Sequence, residues 1–156
     1  MTEMVADPGA GAPEGSRVPW HFWLIAVVSL LWNGFGGYDY TMTQLRGAAY
    51  MTSMGMDAES AAYILALPAW ATAGWALGVW GAIVGSVLLL VRSLYAVWAF
   101  VVSLLGVLVM TAYNLTTDAP AMMDSPANSA IEWAVKIIAA LLLWYAWAMR
   151  KRGVLR

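Results

Sequence analysis

The chain contains no cysteine, which excludes disulfides, thiolate metal sites and a cysteine nucleophile. Histidine is nearly absent too. The single His21 lies beside Trp20 and Trp23 at the start of an apolar run, with no second ligand at metal or haem spacing, and is read as an interfacial residue. Serine, threonine and aspartate occur without a nucleophile elbow or a histidine base, so acyl transfer has no machinery. Walker loops, GxGxxG turns and zinc motifs are missing. No enzyme activity, cofactor or metal is expected. Charge is equally scarce: 11% of the 156 residues are charged, against roughly 25% in soluble domains. The net charge of −1, with no basic patch of interleaved aromatics, gives no case for nucleic acid.

Apolar side chains fill the space left. They make up 62% of the sequence, with mean hydropathy +0.70. So little polar surface implies that lipid covers most of the exterior. Ten Trp and seven Tyr suit residues placed at membrane–water interfaces. The expected fold is a single-domain, all-α membrane protein: an antiparallel bundle of four transmembrane helices over residues 19–150, with spans near 20–40, 68–91, 96–115 and 130–149.

The second span, Pro68–Val91, is the centre of this arrangement. Its 24 residues carry no charge, enough to cross an apolar core of ~30 Å at ~1.5 Å per residue. Ala71, Gly74, Gly78, Gly81 and Gly85 fall on one stripe, with Gly74/Gly78 and Gly81/Gly85 as two GxxxG pairs that admit a close backbone. These four glycines are expected to be the helix-packing face.

Around that span the chain reads in order. Residues 1–18 are rich in Gly, Pro and Ala and are expected to form a flexible tail. The first span changes from WHFWLIAVVSLLW to NGFGGYDYTMTQLR; if it stays helical, Asn33, Gly37, Tyr40 and Gln44 share one face. Leu45–Leu67 connects to the second span, with MDAESAAYILAL as a short amphipathic helix capped near Asp57, lying at the interface or folded over the bundle. Arg92-Ser93 is a tight turn, and Thr116–Ser129 a polar loop. Residues 151–156 form a basic tail.

Basic residues set the orientation. Arg17, Arg92, Arg150, Lys151, Arg152 and Arg156 fall on the side of the termini, while the other side has Arg46 alone, with Lys136 inside the fourth span near that end. The termini are therefore expected on the cytoplasmic side, with the two longer loops outside.

Polar groups are costly in lipid, so their positions are informative. Asn33, Asp39, Tyr40, Gln44, Tyr113, Asn114, Glu132 and Lys136 lie toward the external half, whereas Ser29, Ser86 and Ser103 lie toward the cytoplasm. This asymmetry suggests an outward-facing pocket closed below by an apolar plug. Its candidate solute-binding residues are Asn33, Asp39, Tyr40, Gln44, Asn114, Glu132 and Lys136. Glu132 and Lys136, spaced i, i+4 with the acid first, either neutralise each other or serve a charge relay. Asp39 has Arg46 or Lys136 as its expected partner.

The stretches WNGFGGYDYTMTQLRGAAYM, LPAWATAGWALGVWGAIVGSVLLLVRS and WYAWAMRKRGVLR, with the Ala96–Tyr113 run, cover most of residues 20–156. In them the chain resembles a family of small four-span inner-membrane proteins of proteobacteria that often carry the label "sugar transporter". The resemblance implies a multi-pass inner-membrane protein, but no residue roles. A sugar site needs several polar and indole groups converging on a cavity, and Asn33, Asp39, Gln44, Trp70 and Asn114 could supply some of them. Two functions stay open. One is a small-solute transporter or binding protein acting as a homo-oligomer; the other is a non-catalytic accessory subunit of a larger membrane complex.

Overall fold

A computed structural model describes residues 18–156, whose regular structure is entirely helical. The helices are α1 (Trp20–Arg46), α2 (Ala48–Ser53), α3 (Ala58–Leu65), α4 (Ala69–Leu90), α5 (Tyr95–Thr116) and α6 (Pro126–Lys151). Three of them, α4, α5 and α6, are long and apolar enough to cross a membrane, compatible with a multi-pass membrane protein. The tail expected over residues 1–18 lies outside the described residues except for Val18, which packs against the apolar core.

The tightest packing is between α4 and α5. The glycines of α4 face the chain's own α5, so the stripe is occupied within the chain. Ser103 on α5 donates its Oγ to the Gly78 carbonyl at 2.7 Å. The closest point is Gly106, where an added Cβ would land on the backbone of Gly74 and Gly78. A Cβ on Gly81 would meet the Ser103 nitrogen at 2.9 Å, and one on Gly85 the Phe100 ring at 2.7 Å. At Gly78 the nearest atom would be the Val107 nitrogen at an ordinary 3.5 Å.

Helix α1 lies on α4 through the face that carries its polar residues. Asn33 donates to Ser86 Oγ at 2.9 Å and to the Ala82 carbonyl at 3.4 Å. Gly37 abuts Ile83, and the Tyr40 ring meets Trp75 edge-on at 4.9 Å. Gly34, Gly36 and Gly37 do not end the helix, which continues to Arg46 and stops at Gly47, whose φ of 54° is the left-handed turn that a side chain would strain. Replacing Asn33 with Ala removes the α1–α4 hydrogen bonds while Ser86 keeps its own bond to Ala82. The expected loss is about 0.6 kcal/mol, read by reversible unfolding in mild detergent.

Helix α6 completes a row, α1–α4–α5–α6, in which each long helix packs on the next. The row bends so that its outer members meet at one end, where His21 Nδ1 and Tyr145 Oη hydrogen-bond at 2.9 Å. The same end holds the α4–α5 turn and a cluster that includes Phe22, Leu89, Phe100, Leu142, Met149, Val154 and Leu155. The last residues, expected as a basic tail, fold inward: Val154 and Leu155 are 2% and 3% exposed. Arg92, at φ 60°, is held there by two contacts, its Nε donating to the Val154 carbonyl at 3.0 Å and its carbonyl accepting from the Arg156 N–H at 2.7 Å.

At the opposite end α2 and α3 fold back over the row. Asp57 caps α3, accepting from the Ser60 N–H at 2.6 Å. Tyr50, Met51 and Ala61 form a small second core, and Tyr63 Oη pairs with Thr117 Oγ1 at 2.7 Å, tying α3 to the end of α5.

Candidate functional site

Since α1 and α6 meet at only one end, they leave a cleft of about 480 Å³ between them, with α4 and α5 behind it and α3 at its mouth. That volume lies within the range of small-molecule sites, roughly 300–1,000 Å³. The floor is Phe100 and Leu142, both members of the buried cluster at the other end. The cleft therefore does not continue through the molecule.

Its α1 wall is Trp32, Asn33, Phe35, Gly36 and Asp39, of which Trp32, Phe35, Gly36 and Asp39 are spaced i, i+3, i+4, i+7 and hence on one helical face. Gly36 has nothing within 4 Å of where its Cβ would be, which leaves a gap between the aromatic pair and the carboxylate. Asp39 Oδ1 accepts from Tyr50 Oη at 2.9 Å. The Tyr50 phenol is raised above its ordinary value, first by burial and then by its hydrogen bond to Asp39 and that group's charge. A raised tyrosine favours the folded state while protonated. That contribution is complete below the ordinary tyrosine range and lost only as pH climbs through the raised value. At neutral pH Tyr50 is a fixed donor. The ion pair expected between Asp39 and Arg46 or Lys136 is not formed.

The opposite wall carries the other charges. Lys136 Nζ lies 3.1 Å from Glu132 Oε2, and Asn114 donates to Glu132 Oε1 at 3.3 Å. Lys136 also sits 5.1 Å from the centroid of the Trp133 ring. Both carboxylate oxygens and the ammonium thus have partners on α5 and α6. The pair is partly exposed, so a Glu132→Gln change is expected to cost less than about 1 kcal/mol in a melting experiment.

Of the seven candidate residues, the cleft gathers Asn33, Asp39, Asn114, Glu132 and Lys136. Asn33 is deep and committed to Ser86. Tyr40 is not part of the lining but packs edge-on against Trp75, which is, and Gln44 is exposed. Trp70 also lies outside it, edge-on to Tyr113 at 5.6 Å. Most of the remaining lining is aliphatic or aromatic, so the pocket is less polar than the sequence suggests. Tyr50 and the Trp32–Asp39 stripe were not singled out from sequence. The stripe has a readable signal in its spacing, whereas Tyr50 reaches Asp39 only because the chain reverses at Gly47.

Compared with protein-family models, curated proteins and solved structures, the chain matches none.

Proposed function

We propose that the chain is a four-span integral protein of the bacterial inner membrane, its basic end cytoplasmic, that binds a small solute in the cleft between α1 and α6. Support for α1 as the fourth span comes from its outer face. Leu24, Val27, Val28, Leu31 and Tyr38 are large, exposed and spaced along one side of the helix, a surface that water would penalise and lipid would not. The glycines and polar groups that lower its overall hydropathy are turned in part toward α4 and the cleft. Exposed Trp20, Trp98, Trp144 and Trp147 surround the basic end, while Trp70 and Trp133 lie toward the other, in the manner of interfacial belts. Arg92, Arg150, Lys151, Arg152 and Arg156 belong to the basic end, the side that stays cytoplasmic.

The observation that carries the binding reading is the cleft itself, with a closed floor and a few polar groups on two facing walls. Four helices with a closed floor bind more readily than they transport. Passage would require Phe100 and Leu142 to part, or a second copy to complete the path. The test is gentle extraction of the tagged protein from its membrane followed by native mass spectrometry. A lone chain or homo-oligomer that retains a small molecule supports solute binding. Co-purification with a defined set of larger subunits, and no retained molecule, would assign it instead as an accessory subunit.

A further inference from the structure

We infer that the cleft takes an amphiphilic cation, its apolar body against the aromatic and aliphatic walls and its positive centre at the Asp39 carboxylate. This rests on the cleft being a binding site and deepens that reading by naming the class. Charge accounting across the cleft leads to it. Three ionisable charges line the space: Asp39, Glu132 and Lys136. Glu132 and Lys136 neutralise each other, and Asn114 occupies the remaining Glu132 oxygen. Asp39 has one neutral donor, Tyr50, and no cationic partner among the described residues. The uncompensated charge of the cleft is therefore a single carboxylate, and a monovalent cation balances it.

The surroundings of Asp39 favour an organic cation over a metal ion. One carboxylate with a tyrosine hydroxyl offers too few oxygens for a hard metal, and no group of three or more metal-binding side chains occurs among the described residues. One and two turns below Asp39 on the same face stand Phe35 and Trp32. Aromatic faces attract alkylammonium and similar soft cations, most strongly where water is sparse. The open space at Gly36 lies between the rings and the carboxylate. A sugar would need many hydrogen-bond partners, but Asn33 and Asn114 already donate within the protein.

Equilibrium dialysis tests this with the full chain in nanodiscs of uncharged phosphatidylcholine and empty discs as reference. The probe is radiolabelled tetraphenylphosphonium, and tetraphenylborate is the anion of nearly the same shape. The expected result is saturable cation binding above empty discs, at least about tenfold tighter than the anion. Asp39→Asn, which keeps the acceptor for Tyr50, should weaken the cation about tenfold and remove the preference. Gly36→Trp, whose side chain has room to enter the cleft, should abolish binding. Equal affinity for the two ions, or an Asp39→Asn variant that binds the cation as well as the parent, would overturn the inference. If Gly36→Trp still abolishes binding in that case, the cleft remains a site for another class of solute. If Gly36→Trp leaves binding intact, the cleft reading falls as well. Absence of saturable cation binding overturns the inference alone, since retained solutes in native mass spectrometry test the cleft separately.

Discussion

Gly106→Ala should destabilise this protein far more than Gly78→Ala, although both glycines lie in the same helix–helix contact. A methyl group at Gly106 would fall on the backbone of Gly74 and Gly78. Backbone cannot rotate away as a side chain can, so α4 and α5 must separate. The Ser103–Gly78 hydrogen bond and the contacts along the stripe would weaken together. Overpacking of this kind costs about 1–3 kcal/mol and sometimes more, and Gly106→Leu is expected to prevent stable folding. At Gly78 the same methyl meets only ordinary contacts at 3.5 Å or more. Alanine also restricts the unfolded chain and favours helix by roughly 0.5–1 kcal/mol, so Gly78→Ala should be neutral or mildly stabilising. Gly78→Leu, whose longer side chain would reach the α5 backbone, should not be tolerated. Unfolding in mild detergent, followed by circular dichroism, compares them; equal stability of the two alanine variants would disprove the close approach at Gly106.

Val154→Asp should be nearly as damaging. Val154 and Leu155 complete the cluster that joins the starts of α1 and α5 to the ends of α4 and α6. A carboxylate placed there is buried among apolar side chains, which costs several kcal/mol, or it forces the segment out toward water and the Arg92 guanidinium that sits on the Val154 carbonyl. Once the segment leaves, Arg92 loses both contacts that stabilise its left-handed backbone. Deleting Val154–Arg156 should have a comparable effect, whereas Arg152→Ala, at an exposed position, should be neutral. Melting temperatures of the purified variants test the ranking. A deletion that melts like the parent would show that the clasp contributes nothing.

The sequence revealed most where one physical requirement dominates. Long uncharged runs gave α4 and α5 to within a residue or so, because a segment of that length and composition has few alternatives to helix. Helix α6 begins at Pro126 rather than near Ala130, since Ser125 supplies an N-cap, accepting from the Asn128 N–H at 3.4 Å, and proline suits the first turn. That signal was present in Ser125-Pro126 but masked by the polarity of the loop. Helix α1 outlasted its glycines because packing on α4 supports it where intrinsic propensity does not. Legibility was lower for the site. Position along the chain placed Asp39, Asn114, Glu132 and Lys136 in the same half of the molecule. It could not show that α1 and α6 diverge to create the cleft, nor that Asn33 is committed to Ser86, because such pairings depend on how helices rotate against one another. The α2–α3 fold-back and the Tyr50–Asp39 bond are likewise products of tertiary structure, set by the turn at Gly47.

The claim on which the rest depends is that α1 crosses the membrane beside α4. The chain has no cysteine, so single cysteines can be introduced without background and probed in intact cells with a membrane-impermeant maleimide. Four spans predict that Leu24→Cys, Val28→Cys and Leu31→Cys stay unlabelled both before and after lysis, shielded by lipid. Asp57→Cys and Asp118→Cys, at the opposite end from the basic residues, should label in intact cells, and Arg152→Cys only after lysis. Labelling of the three α1 positions from water would contradict the fourth span, and with it the cleft as a site set within the membrane.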